Sequence, residues 1–248
     1  MKLTSLALPW QGGLIAQTAL ALPPVSETFP AQHPAVVREM VSVSHGNLQR
    51  VKELVEAHPS LVKASWDWGF GDHETALGAA SHVGSRPVAE YLIEHGAPPT
   101  IFSATMLGQL DVVKALIAAN PGVEHLAGPH SIPLLAHAKF GGAGAAPVYE
   151  YLKSFGLPEQ AASAPMSDDE AAALAGTYVF GVGPADKIEV TAAKGRLTFT
   201  RPGTFGRGLM HLGDRVFHPS GAPAVRIKFS EGTVTVWDPD LVLTAKRG

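Results

Sequence analysis

Four glycines set the frame of this chain. Gly46, Gly84, Gly108 and Gly141 each precede an amphipathic stretch: Asn47–Glu56, Pro87–Glu94, Leu110–Ile117 and Pro147–Leu152. Each stretch repeats apolar residues at the i, i+3, i+4 spacing of a helix with one buried face. Shorter helices of small residues come before the glycines, most clearly Thr75–His82 and Ile132–Phe140. Small side chains let neighbouring helix pairs approach closely, and a turn glycine supplies the positive φ needed between two helices. A single pair of this length cannot bury its own apolar face, so the pattern requires pairs stacked in a row.

Beyond Gly176 the period changes from 3.6 to 2. Tyr178–Phe180, Lys187–Thr191, Arg196–Thr200, Arg215–Phe217, Ala224–Phe229, Thr233–Trp237 and Leu241–Thr244 read as short strands separated by turn residues. The fold class expected is α+β in two domains: an all-α helical repeat, then a small antiparallel β meander or barrel. The boundaries are a signal-like or disordered tail over 1–28, the repeat over 29–156, a Pro/Ala/Ser linker over 157–166 and the β domain over 167–248.

Composition narrows the functions. The chain has 248 residues, is 46% hydrophobic and 17% charged, and carries a net charge of −3. That balance allows an ordinary core and offers no basic field for nucleic acid. There is no cysteine, which removes disulfides, thiolate metal sites and cysteine nucleophiles. No apolar run reaches the roughly 18 residues of a transmembrane span. Lys2, two apolar pieces and Ala19-Leu20-Ala21 suggest an export signal cut near Ala21.

The segments Thr75–Ala97 (TALGAASHVGSRPVAEYLIEHGA) and Ile132–Gly156 (IPLLAHAKFGGAGAAPVYEYLKSFG) resemble ankyrin repeats. The resemblance covers about 34–156, or four units. It departs from a regular array: the glycine spacings are 38, 24 and 33, and Gly78 and Leu135 fill the place of the motif histidine. What it implies is a binding or scaffold module whose concave face takes a protein segment or a small ligand. Leu174-Ala175-Gly176-Thr177-Tyr178 is similar to the opening of the small β domain that follows β-lactamase-related serine hydrolase domains. Their catalysis is not carried over. Ser60-Leu61-Val62-Lys63 has the Ser-x-x-Lys spacing, but no hydrolase domain precedes it.

The long first glycine interval holds an insert, Ala64–Glu74, rich in aromatics and acids. Trp66, Asp67, Trp68, Phe70 and His73, with Met106 and His130, are the candidate ligand-binding residues on the concave side. Aromatic walls beside Asp72 and Glu74 would raise a carboxylate pKa for acid–base work. His82 is placed to pair with one of these acids, so Asp72, Glu74 and His82 are the catalytic candidates if the chain is a hydrolase, lyase or isomerase. Alternatively, the insert is an elongated hairpin whose aromatics simply cover two units. The eleven histidines are scattered with no H-x-x-x-H pair, so no metal ligands and no cofactor are expected from spacing. A carboxylate bonded to His82 in an aromatic-walled cleft would favour the enzyme. An Asp72 that only caps a helix would favour the module.

Overall fold

A computed structural model describes residues 27–239 and 241–248 of the chain. The expected export signal lies outside these residues. Contacts divide the chain after His33, and Pro34–Gly248 form one compact unit containing both helices and barrel.

The helical half consists of four pairs: α1 (Pro34–Val43) with α2 (Leu48–Ala57), α3 (Ala76–His82) with α4 (Arg86–Glu94), α5 (Ile101–Met106) with α6 (Leu110–Ala119), and α7 (Leu134–Phe140) with α8 (Ala146–Lys153). The first helices stand in a row, α1 on α3, α3 on α5 and α5 on α7. Small residues make this possible: Ala76, Ala79 and Ala80 of α3 are completely covered. Two of the turn glycines are required twice over. Gly84 and Gly108 have φ of +75° and +76°, and a Cβ on either would collide with a backbone carbonyl, that of Phe140 or Gly144.

The helical half is not all-α, contrary to the expectation above. The insert forms a β-hairpin, β1 (Ser65–Asp67) with β2 (His73–Thr75), in the register Ser65↔Thr75, Trp66↔Glu74 and Asp67↔His73. Gly69, Phe70 and Gly71, all at positive φ, turn it. Asp67 accepts a hydrogen bond from Gly69 N at 2.8 Å, which closes the turn locally. Thr75 ends β2 and caps α3, its Oγ1 accepting from Gly78 N at 2.9 Å. One residue thereby ties the hairpin to the helix that carries His82.

The linker is not a free tether. Ala164 N donates to His211 O at 2.7 Å, and His211 N donates to Ser163 Oγ at 3.0 Å. Next comes α9 (Asp168–Leu174), opened by a capping box between Ser167 and Glu170. Eight antiparallel strands follow: β3 (Gly176–Val179), β4 (Lys187–Ala193), β5 (Arg196–Thr200), β6 (Arg207–Gly213), β7 (Val216–Pro219), β8 (Arg226–Ser230), β9 (Thr233–Asp238) and β10 (Leu241–Arg247). They run in chain order around a closed barrel, and β10 returns to β3 through Lys246↔Val179 and Arg247↔Tyr178. Alternate residues fill the interior, among them Ile188, Val190, Leu197, Phe199, Phe217, Ile227, Phe229, Val234 and Val236. An eight-stranded barrel is just narrow enough for side chains to pack it solid. Ala171 and Leu174 of α9 join that core. No helix among the described residues is long and apolar enough to cross a membrane.

Candidate functional site

Alternation along β2 decides which insert residues matter. Asp72 and Glu74 point the same way and are buried, while His73 between them is exposed. From Glu74 the carboxylate reaches to the far end of α3, where its Oε1 lies 2.7 Å from His82 Nε2. At Gly78 beside this route, an added Cβ would crowd the cap oxygen Thr75 Oγ1 at 3.1 Å and lie in ordinary contact, 3.8 Å, with Glu74 Cγ.

Two more imidazoles converge on the same oxygen. His130 Nε2 is 3.4 Å from Glu74 Oε1, and His45 Nε2 is 3.8 Å from it. The second carboxylate oxygen, Oε2, accepts from Trp68 Nε1 at 2.8 Å. His130 comes from the loop between α6 and α7, where it and Ser131 both adopt φ of 60°. Such left-handed backbone is costly for residues other than glycine, so neighbours must hold it. Asp72 does so from one side, accepting from His130 N at 3.0 Å and facing His130 Nδ1 at 2.6 Å. The barrel holds it from the other side: Ser220 Oγ donates to His130 O, and Gly221 N donates to Ser131 Oγ at 2.8 Å.

Arg207, the first residue of β6, completes the joint. It is buried, and its Nη2 donates to Asp72 Oδ2 and to Ser220 O. Two aromatic contacts reinforce it: Trp68 meets Phe205 edge-on at 4.8 Å between centroids, and Phe70 lies 6.0 Å from Phe199.

Electrostatics correct the expectation of a raised carboxylate. Burial alone would push Glu74 up, but hydrogen bonds from His130 and His82, with their charge, outweigh it and hold the carboxyl at about 2. Asp72 is likewise held below its ordinary value: the His130 and Arg207 hydrogen bonds overcome desolvation. Desolvation would lower His130, yet its bonds to Asp72 and Glu74 raise it to about 9. A carboxylate near 2 is a poor proton acceptor at neutral pH. Glu74 is therefore held as an anion, and a proton acceptor in the Glu74–His82 pair would be the imidazole with the carboxylate as its partner, rather than the carboxylate itself.

Glu74 and His82 form the buried back of the cluster, and His130 and His45 form its front. Both front residues line a cavity of about 850 Å³ between the helical half, the linker and the barrel. Its walls include Trp68, Phe205, Ile132, Pro133, Phe140 and Met210. The size suits a small organic molecule. Among the described residues, His45, Glu74, His82 and His130 are the one group of three or more ligand-type side chains gathered closely, with all four donor atoms within 4.8 Å of one another.

Of the residues singled out from sequence, Asp72, Glu74, His82, Trp68 and His130 meet here. The others do not. Met106 is completely buried in the helical core, where no ligand reaches it. Trp66 packs against that same core. Phe70 packs on the barrel core. Asp67 and His73 are exposed across the hairpin from each other. Sequence reasoning missed His45 and Arg207. His45 stands one place before Gly46 and His82 two before Gly84, so the two are not equivalent in the repeat and only their neighbourhoods are alike. Arg207 stands 135 residues from its partner Asp72, with no local pattern to announce it.

No family model, curated protein or solved structure matches the chain.

Proposed function

We propose that this chain is an enzyme acting on a small molecule held between the helical half and the barrel. The ligand's polar head lies against His45 and His130, and its largely apolar body lies along Trp68, Phe205 and Met210. The observation that carries this reading is the carboxylate–imidazole cluster opening onto an aromatic-walled cavity. Clustered, desolvated charge of this kind stabilises charge that develops on a reacting head group. Hydrolysis, elimination and isomerisation of an oxygen-bearing head group are the reaction classes it suits.

The helical half is read on the same terms as an ankyrin-like array, supported by its row of helix pairs and its turn glycines. Recognition of a protein segment at residues 66–74 is the weaker reading. Trp68, Phe70 and Asp72 of that rim already contact Phe205, Phe199 and Arg207 of the barrel.

The test is a thermal-shift and turnover screen of carboxylates, esters and amides with aryl or alkyl bodies, on wild type and Phe205→Ala. Phe205 is half-exposed at the cavity wall. The expected result is a concentration-dependent rise in Tm that the substitution weakens at least tenfold, with conversion of one compound class. A panel that shifts neither protein would remove the reading.

A further inference from the structure

The arrangement of donors and of the atoms behind them goes beyond an acid–base cluster. We infer that His45, His82 and His130 through Nε2, with Glu74 through Oε1, form a binding site for one divalent first-row transition-metal ion, such as zinc or cobalt, at the inner end of the cavity. The inference rests on reading this cluster as the chemical centre of the cleft.

The first support is spacing. Ligands held ~2.0–2.2 Å from a tetrahedral ion stand about 3.4 Å from one another. The three Nε2 atoms lie 2.7, 3.4 and 3.8 Å from Glu74 Oε1, so small side-chain adjustments complete the shell.

The second support is what stands behind the donors. His45 Nδ1 lies 3.0 Å from Ser42 O, and a carbonyl only accepts, so Nδ1 carries the proton. In the neutral ring Nε2 is then a bare lone pair, and it faces another lone-pair bearer, Glu74 Oε1. His130 repeats the arrangement with a carboxylate, its Nδ1 being 2.6 Å from Asp72 Oδ2. Trp68 Nε1 holds the outer oxygen of Glu74. Two imidazoles and one carboxylate thus have their far atoms tied and their near atoms converging, which is how outer partners orient metal ligands. In the metal-free site, protons on His82 and His130 bridge to Glu74, and a cation would displace those protons and take the same lone pairs. A cation turns every facing lone pair into a bond.

The third support is donor chemistry and access. Three nitrogens and one oxygen suit borderline ions and disfavour calcium or magnesium, which prefer all-oxygen shells. Glu74 and His82 are buried behind, while His45 and His130 border the cavity. A ligand head group entering the cavity could reach the ion on that side only as a fifth donor, added to the four protein ligands.

The test uses the full chain, stripped with a chelator and titrated with Zn²⁺ by calorimetry and with Co²⁺ by visible absorption. The expected result is one ion per chain, a d–d spectrum of nitrogen and oxygen ligation, and no comparable binding of Mg²⁺ or Ca²⁺. His82→Ala removes a buried ligand and endangers folding, so His45→Ala is the companion variant, since its ring is half-exposed. Either loses at least ~100-fold in affinity, more than an outer-partner substitution does. His95→Ala is the control. Its ring packs, tilted, on Tyr91 and is no member of the cluster, and binding stays unchanged. Absence of stoichiometric Zn²⁺ binding, or binding that survives both His45→Ala and His82→Ala, overturns the inference. Ligand shifts in the metal-stripped chain would then leave the proposed function standing. Metal binding with no ligand shift would sink the proposed function alone.

Discussion

Glu74 stands on β2 just before α3 and His82 ends that helix, yet Glu74 Oε1 and His82 Nε2 lie 2.7 Å apart in the buried floor of the cleft. The carboxylate passes beside Gly78, where an added Cβ would stand in ordinary contact, 3.8 Å, with Glu74 Cγ. Glu74→Gln keeps the shape and removes the charge that His82 and His130 face. Breaking one side of a buried charge pair costs about 3–5 kcal/mol, and urea denaturation should record a loss of that order. A loss below about 1 kcal/mol would show that the contact is not made in solution.

Asp72 and Arg207 join the hairpin to the barrel from positions far apart in the chain, and both are buried. Asp72→Asn leaves Arg207 without its counter-charge and should destabilise by about 3–5 kcal/mol. Adding Arg207→Met removes the stranded charge, so the double variant should recover part of the loss. Strict additivity in a double-mutant cycle would contradict the pairing.

Gly221 and Gly203 separate backbone strain from steric contact. Their φ angles are +83° and +81°, but a Cβ at Gly221 would strike the Asp72 carboxylate, whereas nothing lies within 4 Å at Gly203. Gly203→Ala should cost about 1–2 kcal/mol from left-handed backbone alone. Gly221→Ala should cost clearly more and also weaken ligand and metal binding. Equal losses in equilibrium denaturation would refute the close approach of barrel and hairpin.

His137 supplies a pH dependence apart from the cluster. Completely buried, with its Nδ1 3.1 Å from Pro133 O and its Nε2 unpartnered, it is pushed by desolvation from 6.5 to about 4. The unfolded chain therefore binds the proton more readily. This contribution to stability is complete above about pH 6.5 and is lost as the pH falls toward 4. His137→Leu lacks it, so the difference in stability between variant and wild type should shift in the variant's favour by up to about 3 kcal/mol from pH 7 to 4. A difference that does not change with pH would mean that this imidazole is not held neutral.

The residues themselves carried much of the architecture. Periodicities of 3.6 and then 2, with glycines at the turns, determined the helix pairs and the strand-rich second half, because local burial patterns are written residue by residue. They also drew attention to Asp72, Glu74, His82 and Trp68, since an insert in a repeat stands out against its neighbours. Barrel closure was beyond them: β10 meets β3 some seventy residues earlier in the chain, and no local pattern encodes that pairing. So was the site's full membership. Alternation on β2, the strained turn at His130, and the approach of His45 and Arg207 from separate elements are facts of packing. Three imidazoles gather on one oxygen only after the hairpin, the helix row and the barrel have met, so tertiary structure alone decided that scattered histidines become a single centre.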